Sequence, residues 1–254
     1  MTVTDGTVLS AGRRLEYRIW GEGAPELILL HEGLGCVALW KDFPAALGAA
    51  TGRTVLAYSR AGYGGSDPDD LPRPLDWMKL EAERLRDVTT ALGAERAVLV
   101  GHSDGATIAA LRAGFWGDPP GVVLMAPHFF TEEMGLAEIT RAREAFQASD
   151  LPDRMAKYHR DARATFYGWA DAWLDPRFKV WNVEHALDAI SCPILAIQGA
   201  GDQYGTLRQI EVIAERAQGP VDSVVFERCR HSPHLERGAD TIEHIVGFLS
   251  KYAL

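Results

Sequence analysis

The chain has 254 residues, 47% of them hydrophobic and 24% charged, with a net charge of -9. That length fits one large α/β domain with a sizeable core, or a core carrying an insertion, better than two independent domains. Acidic and basic residues are scattered without a long Lys/Arg block, so neither nucleic acid nor an anionic membrane surface is an expected partner.

The first residues, Met1-Thr2-Val3-Thr4-Asp5-Gly6, lack the basic and apolar regions of a secretory signal. No apolar run approaches the roughly 18 residues that span a bilayer, so a cytoplasmic location is expected. Alternation over residues 7–9 and 15–19, either side of Ala11-Gly12, predicts a hairpin or two short antiparallel strands. Beyond it, apolar runs at 27–30, 55–58, 97–100, 122–125, 194–197 and 221–226 alternate with helical stretches. That rhythm predicts an α/β fold with βαβ units and a mostly parallel sheet.

About 65 residues separate the strand ending near Pro127 from the one beginning near Pro193, too many for an ordinary connection. An inserted element is expected there, with core at 1–128 and 191–254 and a helical cap at 129–190. Helical periodicity runs over 137–146 and 155–173, and the segment is rich in rings: Phe129, Phe130, Phe166, Tyr167, Trp169, Trp173, Phe178 and Trp181. Such rings can glue the insertion to the core or wall an apolar pocket, and different rings can do each. Trp169, Trp173 and Phe130, with His234 from beyond the segment, are the candidate substrate contacts. Cys36, Cys192 and Cys229 are odd in number and widely spaced, without a ligand cluster. Neither disulfides nor a metal is expected.

The most specific local signal is Gly101-His102-Ser103-Asp104-Gly105, between the strand at 97–100 and a helix-forming stretch. A strand that turns sharply into a helix crowds the serine, so glycine is needed two residues to either side. Strain then holds the hydroxyl out, and the helix start supplies backbone donors for a developing negative charge. A phosphate-binding loop is the bland rival, but the run lacks the Lys-Ser/Thr ending of a P-loop.

A serine hydroxyl is a weak nucleophile and needs a base, which in turn needs an orienting group. In open α/β sheets such groups gather on loops leaving strand C-termini. Asp202 lies in Gly199-Ala200-Gly201-Asp202-Gln203-Tyr204-Gly205, after the strand at 194–197, and His231 lies after the strand at 221–226. Serine, acid and histidine thus follow one another, each just past a strand.

With these residues in place the chain resembles the α/β-hydrolase family over nearly its full length. The resemblance is carried by His31-Glu32-Gly33-Leu34-Gly35, by Arg60-Ala61-Gly62-Tyr63-Gly64-Gly65-Ser66-Asp67, by the serine turn, the insertion, the acid loop, and His231-Ser232-Pro233-His234. It implies a helical cap inserted after the sixth strand, Ser103 as nucleophile, His231 as general base and then acid, and Asp202 as its carboxylate. It also implies an oxyanion hole from the backbone N–H groups of Gly33 and Asp104, and no cofactor. His234 is the rival base, read as a helix-starting or pocket-facing residue. His102 is read as packing. His128, His159, His185 and His244 match no motif and are read as solvated or core histidines. Glu32 departs from the family, because glycine is common there. A carboxylate aimed at an oxyanion opposes catalysis, so Glu32 is expected to turn away and pair with Arg60.

The expected chemistry is acyl transfer on a small or medium apolar ester, with a small-molecule substrate as the partner. The same residues suit a carbon–carbon bond hydrolase, lactonase, amidase or perhydrolase, and a small-molecule receptor on a hydrolase scaffold is the alternative of another class. Epoxide and haloalkane hydrolysis are disfavoured, since those relatives use aspartate where this chain has Ser103.

Overall fold

Leu27–Leu30 (β3) and Val55–Tyr58 (β4) are four-residue runs with every side chain buried, as a strand covered on both faces requires. The computed structural model describes residues 1–117 and 119–254. Val3–Ser10 (β1), Arg13–Trp20 (β2), Val98–His102 (β5), Val122–Met125 (β6), Ile194–Gly199 (β7) and Val221–Phe226 (β8) complete an eight-stranded sheet. Its order is β1-β2-β4-β3-β5-β6-β7-β8. Strand β2 pairs antiparallel with β1 and β4, and the pairings from β4 through β8 are parallel. The hairpin is longer than its alternation suggested, because Ala11 (φ 46) and Gly12 (φ 77) form a tight turn whose positive φ angles match the twist of the strands.

Alternate residues of the central strands feed two separate cores. Ile28, Leu30, Leu56 and Leu99 pack with the helices Trp77–Ala91 (α2), Asp104–Trp116 (α3) and Arg208–Arg216 (α7). Leu27, Leu29, Val55 and Val98 pack against Phe43–Thr51 (α1) and Gly238–Lys251 (α9), led by Leu47, Ile245 and Phe248. The period-two pleat therefore divides each apolar run between two helical layers.

Between β6 and β7 the chain forms Glu133–Ala148 (α4), Leu151–Met155 (α5), Ala162–Trp173 (α6) and 3-10 turns at Pro176–Val180 and Glu184–Ala189. The periodicity over 155–173 reads as one helix, but the structure breaks it. Asp161 accepts the Ala164 N–H at 2.9 Å and so starts α6 afresh. Phe146 and Phe166 stack at 3.9 Å and 6° between α4 and α6. Their side chains, with Ile139 and Trp173, join the same cluster as α2 and α3 and have no separate core.

Ser103 sits between β5 and α3 with φ 53 and ψ -121, and its N–H donates to the Met125 carbonyl at 2.8 Å. The flanking glycines are dictated by backbone crowding. A Cβ on Gly101 would fall 2.5 Å from the Ala106 nitrogen, and one on Gly105 would overlap the Leu30 carbonyl, with the His31 oxygen 2.7 Å away. Helix α3 thus starts in direct contact with the end of β3. Because neither neighbour is a flexible side chain, Gly105→Ala should destabilise the fold by on the order of 3 kcal/mol. Urea unfolding tests this, and an unchanged midpoint would contradict the packing described.

Candidate active site

The loops leaving β5, β7 and β8 bring Ser103, Asp202 and His231 into one chain of hydrogen bonds. The Ser103 hydroxyl lies 2.9 Å from His231 Nε2, and His231 Nδ1 lies 2.9 and 2.8 Å from the two oxygens of Asp202. That leaves Nδ1–H as donor to the carboxylate and Nε2 as acceptor from the serine. Asp202 is further held by the Tyr204 N–H at 2.8 Å and by Gln198 Nε2 at 2.8 Å. Burial alone would raise its carboxyl, but the His231 hydrogen bond and charge and the Tyr204 amide bring it below the ordinary carboxylate value.

The loop after β3 is fixed from beneath. Buried Arg60 donates to the His31 carbonyl at 2.5 Å and to the Glu32 carbonyl at 2.9 Å, while its own N–H donates to His31 Nε2 at 3.1 Å. His159 accepts from the Gly64 N–H at 3.0 Å and donates to the Leu34 carbonyl at 3.1 Å. Gly33, between these anchors, faces the same space as Ser103 and Asp104. The expected Glu32–Arg60 ion pair is not formed. Arg60 is spent on backbone carbonyls, and the Glu32 carboxylate instead stands 3.5 Å from His102 Nδ1. Burial would raise Glu32, but His102 outweighs it and draws the carboxyl below its ordinary value.

Glu32, Gly33, Ser103, Asp104 and His231 line a cavity of about 270 Å³ above Ser103. Phe130, Trp169 and Trp173 form part of its wall, whereas Phe166 stacks on Phe146 and Tyr167 meets Phe146 edge to face, and Phe178 and Trp181 back Trp173. His234 does not line it. Pro233 starts the short helix Pro233–Glu236 (α8) and carries His234 behind His102, with ring centres 4.5 Å from His102 and 4.8 Å from Trp40. There, burial and His102 push it well below the ordinary histidine value. His102 donates from Nε2 to the His231 carbonyl at 2.7 Å, fixing the backbone of the histidine loop.

Three contributors escaped the sequence reading. His128 lines the cavity, its ring 5.6 Å from that of His231. Gln198, inside β7, orients Asp202. Gln209 of α7 accepts the Phe129 N–H at 2.8 Å and donates to the Phe130 carbonyl at 3.0 Å, which pins the cavity wall. A glutamine in an otherwise apolar strand, and a histidine just past β6, were the available signals.

A model of the alpha/beta hydrolase family matches residues 27–244. The chain belongs to that family. Serine hydrolase BPHL of Mus musculus is 27% identical over 259 residues, covering 96% of this chain and 85% of the relative. Among solved structures, a membrane phospholipase A described as a bacterial virulence factor superposes with TM-score 0.81 at 23% identity, covering 99% of this chain and 87% of that one. The 2-hydroxy-6-oxo-6-phenylhexa-2,4-dienoate hydrolase of Rhodococcus sp. strain RHA1 gives 0.80 at 17% identity, with coverage of 98% and 99%. These two likenesses are likenesses of fold.

Asp104 carries a stability consequence. Its carboxyl is buried in the first turn of α3, Oδ2 has no hydrogen-bond partner within 3.5 Å among the described residues, and burial, only partly offset by Arg60, Arg73 and the nearby Trp173, raises it from 3.8 to about 6. The folded protein therefore holds this proton more tightly than the unfolded chain, and stability falls as pH rises from about 4 to about 6. Asp104→Asn should stabilise the protein by about 1–3 kcal/mol at pH 8 and by little at pH 4. Urea titrations at the two pH values test it, and an equal change at both would contradict the shift.

Proposed function

We propose that the protein is a serine hydrolase of small or medium apolar esters, acting through an acyl-enzyme on Ser103. The unbroken hydrogen-bond chain from Asp202 through His231 to the Ser103 hydroxyl carries this reading. His231 Nε2 takes the serine proton as the oxygen attacks the ester carbonyl, and Asp202 stabilises the imidazolium that forms. The backbone N–H groups of Gly33 and Asp104 receive the oxyanion. Among the described residues no acceptor holds either one, and both residues line the cavity. His231 then protonates the leaving oxygen, and water, activated by the same histidine, releases the acid.

The charge of the cavity favours this substrate class. Glu32, Asp104 and Glu132 line it and, among the described residues, no lysine or arginine does. A substrate carrying a carboxylate would enter without a counter-charge and against three acids. The Rhodococcus relative, by its name, acts on such an acid. Here an uncharged or amine-bearing ester fits better, and the rings of Phe130, Trp169 and Trp173 suit an apolar acyl or alkoxy group.

Labelling with a fluorophosphonate, mapped by mass spectrometry, should place the adduct on Ser103. Ser103→Ala should abolish hydrolysis of short aryl esters, and His231→Ala should lower it by roughly 10⁴ to 10⁶, with His234→Ala far milder. Neutral esters should exceed their carboxylate-bearing analogues in kcat/KM by about tenfold or more. An adduct on another residue, or undiminished turnover by Ser103→Ala, would overturn the proposal.

A further inference from the structure

Resting on the ester-hydrolase reading, we infer that His128 is a substrate-facing residue that hydrogen-bonds the departing alkoxy group. His128 follows β6 and is 6% exposed, yet it borders the cavity. Its backbone is clamped to α3: Thr107 Oγ1 donates to the His128 carbonyl at 2.7 Å and accepts the His128 N–H at 3.1 Å. Its ring is fixed between neighbours. The face lies 5.6 Å from His231 at 29°, the edge meets Trp173 at 5.5 Å and 74°, and a Cβ on Gly205 would come within 3.3 Å of Nδ1 and Cε1.

The ring nitrogens of this clamped imidazole have no hydrogen-bond partner among the described residues. Neither nitrogen is sealed in the core, and His128 borders the cavity, so a partner can reach the ring from there. A group that arrives with the substrate supplies that partner. The leaving oxygen must come within reach of His231 Nε2 to collect its proton, and His128 stacks on that same ring. The Gly33 and Asp104 amides attend the carbonyl oxygen instead. Burial and the nearby His231 and His102 hold His128 down to about 3, with Asp202 opposing them, so its ring is neutral at neutral pH.

A neutral imidazole offers one N–H and one lone pair. As the tetrahedral intermediate collapses, the carbon–oxygen bond breaks, its electron pair stays on the oxygen, and the proton comes from His231 Nε2. The His128 N–H remains on its nitrogen throughout and stabilises the oxygen while charge builds there. Such help matters for a poor leaving group and hardly at all for a nitrophenolate.

The test compares p-nitrophenyl acetate with benzyl and ethyl acetate in wild type, His128→Phe and His128→Gln, alongside the rate of fluorophosphonate labelling. In His128→Phe, which keeps ring and volume, kcat/KM should fall roughly 10- to 100-fold for the alkyl esters and less than about 3-fold for the nitrophenyl ester. Labelling should stay near wild type, and His128→Gln should recover part of the loss. Equal losses on all esters, or no loss on any, would overturn the assignment. Failure of wild type to label or to hydrolyse any ester would instead overturn the underlying reading of the site.

Discussion

A residue with a side chain holds φ 53 and ψ -121 only when its surroundings leave it no easier conformation, and at Ser103 those surroundings are backbone. The Leu30 carbonyl lies where a side chain on residue 105 would go, and Ala106 lies where one on residue 101 would go. The Ser103 N–H is meanwhile drawn onto the Met125 carbonyl of the adjacent strand. Strain of this kind is worth about 1–3 kcal/mol, a small share of what the two apolar cores contribute. The turn therefore persists because the sheet and α3 cannot part without exposing those cores. The turn sets where the Ser103 Cβ stands, and the hydrogen bond to His231 Nε2 then gives the hydroxyl its direction.

The opposite wall of the cavity depends on an unusual use of charge. Arg60 is 1% exposed and, among the described residues, forms no ion pair with a carboxylate and leaves its Nε without a hydrogen-bond partner. Its charge is met by the His31 and Glu32 carbonyls and by the face of Tyr63, whose ring also receives Arg73 at 4.8 Å. Burying a guanidinium without a carboxylate is costly unless its donors are satisfied. The return is rigidity where Gly33 must present its amide, because a loop held by Arg60 and His159 cannot drift. The same two guanidiniums pull on Asp104 from behind and keep its raised carboxyl from rising further.

The sheet was legible because its central strands are short, fully apolar and evenly interrupted, which few other folds produce. Ser103, Asp202 and His231 were legible for a related reason: each stands directly after such a run, among residues that turn. Glu32 and His234 were misplaced because their directions depend on contacts distant in sequence. The Arg60 side chain chooses carbonyls over a carboxylate, and α8 turns His234 toward Trp40, and neither choice has a local signature. The broken helix at residues 156–161 misled for the opposite reason. Its apolar spacing continues across a turn that only the Asp161 cap reveals. His128 carried a positional clue, a histidine past β6, but no motif distinguished it from a core residue.

Six buried or half-buried histidines crowd this part of the molecule; His102 is committed through Nε2 to the His231 carbonyl, and burial explains why four others do not compete for the serine proton. His31, His128, His159 and His234 are all pushed down, with desolvation the leading cause in each. His231 differs in having a carboxylate at hydrogen-bond distance, so an imidazolium can form there with its counter-charge already in place. What makes it the proposed base is thus decided at Asp202. That carboxylate receives Tyr204 on one oxygen, Gln198 on the other and His231 across both, so it stays ionised and cannot rotate. Gln198 belongs to β7, whose backbone is hydrogen-bonded between β6 and β8. The tautomer of the proposed base is therefore fixed by the sheet itself, through one buried amide.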